Sequence, residues 1–286
     1  MQIADWPARF EALSARKTSE ALAAAIEPFT TEVDQPDGSL AAIGNAWSRR
    51  MFDGSFYASP ARSDDLPATN LVFVQSRDGD TVAGNPSTLG GGEADKHLVY
   101  EGLSRAAADA VLSGAATIRG SDLVLSVWHP ELVALRASLG LPRHPMQIVA
   151  TLKGMDLEHG LMFNVPELKV TVITAARGAE VMGGSLAARP WITPIVMDDR
   201  HDLAGAFRQL RQRGVRQLSC IGGRTIAGQL IDAGLIQDLY LTTSAQSAGT
   251  PNTPLYAAPL ATSLIARKHG TGADRGVVFE HLVIPP

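Results

Sequence analysis

Hydrophobic positions along this chain alternate between a helical and a strand period, and that alternation predicts an α/β architecture. Residues 216–244 read RQLSCIGGRTIAGQLIDAGLIQDLYLTTS. A short apolar run ends at Ile221 and two glycines follow. Ile226, Leu230 and Ile231 then share one helical face up to Gly234, where a left-handed cap belongs. Leu239 and Leu241 next alternate with Tyr240 and Thr242, the period of a strand. The unit reads strand, Gly-Gly, helix, strand. Further strands are predicted at 70–75, from 109 to Gly114, at 146–152, 169–174 and 191–197, and in the closing GVVFEHLVI. Helical spacing predicts helices at 10–26, about 93–105, 132–140 and 202–213, the last with Leu203, Phe207 and Leu210 inward.

Residues 1–66 differ from the rest. A helix stopped by Pro28, a turn at 34–38, an aromatic stretch with Arg49 and Arg50, and a linker at 59–69 with Ser63-Asp64-Asp65 give no repeated pattern. We therefore divide the chain into an N-terminal helical extension, 1–66, and a main domain, 67–286. The extension is expected to pack on the main domain or on a partner subunit.

Composition narrows the classes. With 286 residues, 45% hydrophobic and 19% charged, the chain can bury a large core, which excludes global disorder. A net charge of −4 gives no overall bias towards nucleic acid, so Arg208, Arg211 and Arg213 read as a solvated helical face. The single cysteine, Cys220, excludes an internal disulfide framework and reads as packing. The histidines at 97, 129, 144, 159, 201, 269 and 281 lack metal-binding spacing, and no metal is expected. No run approaches the roughly 18 apolar residues of a membrane helix. Residues 1–9 contain Asp5 and Pro7 and lack the apolar core of a signal peptide, so a cytoplasmic protein is expected. Neither a G-x-G-x-x-G fingerprint nor a P-loop is present.

Candidate chemistry collects where strands end. Gly222 and Gly223 close a strand and open a helix, where free N–H groups and the helix dipole favour an anion; a ligand-free tight turn is the alternative. Lys153 and Arg177 follow the ends of two strands and suit a phosphate, or else are surface basics. Ser76, Asp78 and Gly79 lie in SRDG after the 70–75 strand. A carboxylate there can orient or protonate a substrate, or simply make an Asp-Gly turn.

IGGRTIAGQL followed by DLYLT resembles the pyrophosphate-binding segment of the dihydrofolate reductase superfamily. The order of segments over 70–284 is most similar to the reductase domain of riboflavin biosynthesis, the RibD C-terminal type. Ser76, Asp78 and Gly79 match its Ser-x-Asp-Gly signature, with Arg77 in place of an apolar residue. The resemblance implies a mostly parallel sheet flanked by helices, antiparallel at its C-terminal edge. It also implies an NADPH-dependent reductase of a pyrimidine- or pterin-like compound, with a phosphoribosylamino-pyrimidine as leading substrate, and a homodimer. Gly222, Gly223, Arg224 and Thr225, flanked by Ile221 and Ile226, would hold the pyrophosphate. Gly114, Ala115 and Thr117 would meet the nicotinamide half, although folate relatives carry a basic residue where Ala115 stands. Thr151, Lys153, Thr174 and Arg177 would surround the adenosine phosphate, and Asp78 with Ser76 would face the substrate as the catalytic pair. Asp95 and Glu101 are the nearest candidates for the acid that folate reductases place on the comparable helix. The extension is too short for the deaminase domain that often accompanies the riboflavin reductase and lacks its metal-binding signature. Ile221 stands where the riboflavin reductase has glutamate, which keeps two alternatives open: a folate or other heterocycle reductase, and a silent member that binds nucleotide or serves in assembly.

Overall fold

The structure is a computed structural model that describes residues 5–118, 122–199 and 202–285. Among the described residues, twelve strands form. They are β1 (Thr30–Asp34), β2 (Ala41–Ile43), β3 (Phe56–Ala58), β4 (Ala68–Gln75), β5 (Ala110–Gly114), β6 (Met146–Thr151), β7 (Val170–Ala175), β8 (Ile192–Met197), β9 (Gln217–Cys220), β10 (Asp238–Thr243), β11 (Ser263–His269) and β12 (Val278–Val283). Eight α-helical stretches connect them: α1 (Trp6–Ala23), α2 (Ala46–Met51), α3 (Ser104–Ala106), α4 (Ala115–Ile118), α5 (Pro130–Ser138), α6 (Ala176–Ala187), α7 (Leu203–Gln212) and α8 (Arg224–Asp232).

Ten strands make one sheet in the order β1-β11-β12-β10-β4-β9-β5-β6-β7-β8, and β2 pairs with β3. From β10 to β8 every pairing is parallel. Beyond β10, strands β12, β11 and β1 add in antiparallel order. Strands covered on both faces need apolar residues at successive positions, which is why 70–75 and 169–174 read as continuous runs. On one face Leu71, Leu112, Ile148, Ile173 and Leu218 pack under Phe207 and Leu210 of α7 and Ile226 and Leu230 of α8. On the other, Val111, Val149, Val172 and Ile221 share a core with Phe10 and Leu13 of α1. Gly234 follows α8 at φ +65°, and Leu235 N–H donates to Leu230 O at 2.9 Å, which closes the helix as its glycine foretells.

The N-terminal residues are woven into this sheet. Strand β1 pairs with β11. Phe52 and Phe56 stack edgewise or tilted on Phe279 and Tyr240 at 5.1 and 4.5 Å. Ser59 donates from N–H and Oγ to the two oxygens of Asp238, at 2.8 and 2.7 Å. The basic helix α7 keeps Arg208 and Arg213 exposed, and on that surface Arg208 bonds Asp65 at 2.9 Å and Arg211 bonds the Asp64 carbonyl at 2.9 Å. Two of its arginines thus hold the acidic linker, a match that only the folded path brings about.

Several elements carried no periodic signal. The side chains of β1 are almost all exposed, so this edge strand is held by its backbone ladder without an apolar face. Strand β11 contains the fully buried Lys268, bonded to Thr31 Oγ1 at 2.8 Å and to the Asp53 carbonyl at 2.9 Å. Helix α6 contains three glycines and forms by tertiary packing against β7 and β8. The residues expected as a helix at 93–105 form instead a wide segment, Ala94–Leu103, whose turns close i→i+5, followed by α3.

Candidate active site

Two glycine turns meet at the carboxyl ends of the adjacent strands β9 and β5. Ile221 N–H still donates to Leu112 O at 3.0 Å, and the chain then turns sharply. Gly222 has φ +94°, and its carbonyl accepts Gly114 N–H at 3.0 Å and Ser113 Oγ–H at 3.2 Å. The Gly222–Gly223 peptide is cis. Gly223 caps α8 with no side chain, so the first N–H groups of the helix receive no capping oxygen and no acidic residue follows in the first turn. A Cβ added at Gly114 would lie 3.6 Å from Ile226 Cγ2 and 4.0 Å from Gly223 N; one added at Gly223 would lie 3.6 Å from Thr117 Oγ1. The fold therefore brings Gly114, Thr117, Gly222, Gly223 and Ile226 together, and Arg224 and Thr225 open the helix beside them. Arg224 Nε is buried and has no partner among the described residues. Ile221, Ala115 and Ile226 are buried in the cores, so only their backbones are available to a ligand.

The next two strand ends carry the basic pair. Thr151 and Thr174 are register partners on β6 and β7. Thr151 Oγ donates to Gly154 O at 3.0 Å, and Thr174 is fully buried. A Cβ at Gly178 would sit 2.1 Å from Thr174 Oγ1 and 2.8 Å from Gly154 N, so the glycine lets α6 press directly on both strand ends. Lys153 and Arg177 are exposed beside this contact, and among the described residues neither has an acidic partner. This leaves both cations available to an anion.

At the end of β4, the SRDG turn is held by its own serine and by the neighbouring loop, where Gln246 O accepts Arg77 N–H at 2.8 Å. Ser76 is fully buried, and its Oγ accepts Asp78 N–H at 3.3 Å and Asp80 N–H at 3.2 Å. The Asp78 side chain is 53% exposed, 4.0 Å from Arg77 Nε. Asp80, which the sequence reading passed over, is buried and accepts Thr253 N–H at 2.8 Å. The Ser76 hydroxyl is thus committed to the turn, and Asp78 projects outward.

A different carboxylate is buried beside that strand end. Asp95, on the wide segment, is 8% exposed and receives a hydrogen bond from the Thr242 side chain. Thr242 is the register partner of Val74 on β4. Gly91 makes the room: a Cβ there would lie 2.7 Å from Asp95 Oδ2 and 3.0 Å from Val74 Cγ2. Burial pushes the Asp95 carboxyl up to about 7; the Thr242 bond opposes this, and the nearby Asp274 carboxylate adds to it. Glu101, its rival in the sequence, is instead bound to Lys17 at 3.1 Å. An α-helical spacing separates the two acids poorly, because the segment that carries them does not wind as an α-helix.

Among the described residues no cluster of three or more His, Cys, Asp or Glu is placed to hold a metal ion, and no helix is long and apolar enough to cross a membrane. His201 and residues 1–4 of the opening stretch lie outside the described residues.

No curated protein sequence matches the chain. Among solved structures it is similar to a pyrimidine reductase-like protein of Corynebacterium diphtheriae, at 22% identity and TM-score 0.63, over 77% of this chain and 92% of that one. It is also similar to RibD of Acinetobacter baumannii at 20% identity and TM-score 0.60, over 77% of this chain and 58% of that one. A third likeness is to the riboflavin biosynthesis reductase Rib7 of Saccharomyces cerevisiae, at 15% identity and TM-score 0.54, over 79% and 93%. These likenesses establish a shared dihydrofolate-reductase-like fold, with its parallel sheet and antiparallel edge. The family model of the RibD C-terminal domain matches residues 67–263. That span runs from the residue before β4 through both glycine turns to the first residue of β11, and it makes this chain a member of the RibD C-terminal domain family.

Proposed function

We propose that the chain is an NADPH-dependent reductase of a pyrimidine- or pterin-like heterocycle, most closely of the 5-amino-6-(5-phosphoribosylamino)uracil reductase type. The observation that carries this reading is the uncapped start of α8 at Gly223, facing Thr117 across space that a Cβ would enter without a clash. Backbone N–H groups there suit a pyrophosphate, with Arg224 and Thr225 beside it. Gly114 and Thr117 border the nicotinamide half, and Lys153 and Arg177 suit the adenosine phosphate. NADPH, when bound, supplies the hydride.

The chain must then hold the substrate ring and provide a proton to the atom next to the reduced carbon. We assign the proton to Asp95. Near neutrality its carboxyl is partly protonated, so it can donate and be recharged from solvent. A donor must be protonated, so turnover is expected to fall as pH rises through about 7. Asp78 keeps a place at the mouth of the site, with Ser76 shaping its turn. Asp78→Asn is therefore expected to raise KM with kcat nearly unchanged, and a fall in kcat of about 10²-fold would return the proton-transfer role to Asp78.

A second reading, a pterin such as dihydrofolate as substrate, is favoured by two facts. Ile221 offers no carboxylate beside the turn, and Asp95 offers one from the wide segment. A homodimer belongs to the leading reading and is tested by sedimentation. NADPH oxidation with the phosphoribosylamino-pyrimidine and with dihydrofolate separates the substrates; tight NADPH binding with no turnover of either would favour a silent member.

Cofactor choice gives a further test. NADPH is expected to bind more tightly than NADH, and Lys153→Ala or Arg177→Ala should remove roughly 1.5–3 kcal/mol of that preference, the worth of a hydrogen bond to a charged group. Fluorescence titration of both cofactors measures it, and equal wild-type affinities would make the pair a surface feature.

A further inference from the structure

The wide segment that carries Asp95 is held from outside. Helices that close i→i+5 are rare and mostly a single turn long, so the longer segment Ala94–Leu103 needs support. At its start Asp274 accepts Ala94 N–H at 3.0 Å. Near its end Gly102 has non-helical backbone angles, and a Cβ there would lie 2.7 Å from both His97 O and Leu132 Cδ1. Ser104 Oγ donates back to Val99 O at 2.8 Å.

The support in the middle comes from the N-terminal arm. Lys17 of α1 bonds Glu101 Oε1 at 3.1 Å, across 84 residues of sequence. Glu101 and His97 side chains are 9% and 1% exposed, and Lys17 is 17% exposed. His97 lies 3.2 Å from Glu93 and 3.7 Å from Glu101, but burial, foremost, lowers its pKa and disfavours its charged form. Glu101 Oε2 has no hydrogen-bond partner. Among the described residues Lys17 is therefore the cation that answers this nearly buried carboxylate. Lys17 also lies 3.6 Å from Glu20, and Lys96 adds positive charge near Glu20 and His97.

Winding decides where each side chain of a helix points. A turn that takes in one more residue rotates every position less, so rewinding the segment to i→i+4 would swing Asp95 relative to Glu101. We propose that Lys17 is a positioning residue: through Glu101 the arm holds the wide winding that keeps Asp95 against Val74 and Thr242. The arm lies before the family match, which begins at residue 67. The proposal rests on the reading of Asp95 as proton donor.

The test uses the full chain with Lys17→Met, which keeps the apolar stem, and Lys17→Arg, which keeps the charge. The Asp95 carboxyl is titrated by NMR without cofactor, amide exchange is followed over Ala94–Leu103, and NADPH affinity and the pH profile of kcat are measured. In Lys17→Met the Asp95 midpoint and the alkaline limb of kcat should both move to lower pH as Asp95 loses its buried place. Exchange in the segment should quicken, and kcat should fall by up to about 10²-fold, as misplacement of a reacting group does. NADPH affinity should stay within about twofold, and Lys17→Arg should restore all values. Loss of a cation acting only through space would move the Asp95 midpoint upward, since Asp274, Tyr100 and Thr242 remain around it; that direction, or no change, overturns the proposal. Parallel loss of NADPH affinity and global stability also overturns it. Asp95→Asn separates the two readings. If that variant keeps turnover and its alkaline limb, the donor assignment fails; if it loses both while Lys17→Met changes nothing, only the positioning role fails.

Discussion

Gly223→Val is expected to abolish NADPH binding in a protein that still folds. Gly223 has φ −61° and ψ 178°, extended backbone open to any residue. A Cβ built there meets Thr117 Oγ1 at 3.6 Å, an ordinary contact. The two branches of valine must then occupy the space before α8 that the pyrophosphate needs, and they would cover the N–H groups meant to bind it. The neighbouring glycine behaves differently. Gly222 has φ +94°, and a Cβ there would lie 2.9 Å from Phe73 Cζ. Gly222→Ala should therefore destabilise the fold itself, by about 1–3 kcal/mol from backbone strain before any clash is counted. Fluorescence titration with NADPH and thermal melting distinguish the pair. For Gly223→Val we expect binding weakened by at least about 10²-fold with a melting temperature near wild type, a change of roughly 2.7 kcal/mol or more in binding free energy. Normal affinity in the folded variant would remove this turn from the cofactor site.

Asp95→Asn is expected to lose turnover and gain stability above neutrality. Asparagine keeps the shape and can still pair with Thr242, but it carries no transferable proton, so kcat should fall by about 10²-fold or more. Stability moves the opposite way. The folded state holds the Asp95 proton up to about pH 7, whereas an unhindered aspartate releases it near 3.8. Between those values the folded state binds more proton than the unfolded one, so this group's contribution falls as pH rises through the window. It is fully favourable below about pH 4, and above about pH 7 it reaches a constant penalty of roughly 4 kcal/mol. Asparagine has no such titration. Urea unfolding at about pH 8 should show the variant more stable than wild type, with the difference shrinking steadily towards about pH 4. A pH-independent difference would mean that the Asp95 carboxyl titrates alike in the folded and the unfolded protein, and its role as donor would fall with it.

The elements legible in the sequence are those whose residues carry their own reason. Gly222 after an apolar run, and Gly234 after Ile226, Leu230 and Ile231, mark a strand-to-helix turn and a left-handed cap, because both sit at positive φ. The strands β4 and β7 announce burial on two faces, and α7 announces its inward stripe through Leu203, Phe207 and Leu210. Gly114 and Thr117 could be matched to the turn by resemblance because backbone approach leaves a glycine signature. Lys153 and Arg177 could be placed at strand ends, since the end of a strand is a local property.

Contacts between distant segments had no such signature. Strand β1 has no apolar face because its partners are backbone groups of β11. Arg208 and Arg211 lie on the solvated face their spacing suggests, but nothing local foretells that Asp65 and the Asp64 carbonyl meet them there. Asp95 and Glu101 are equal candidates along the chain. They are told apart by a valley at Gly91, a hydroxyl from β10 and a lysine from α1, none of them near in sequence. Local patterns encode which residues a single element needs, and so the chain by itself determined its parallel core and glycine turns. The charge state and direction of a buried carboxylate depend on everything around it, and these only the tertiary structure decided.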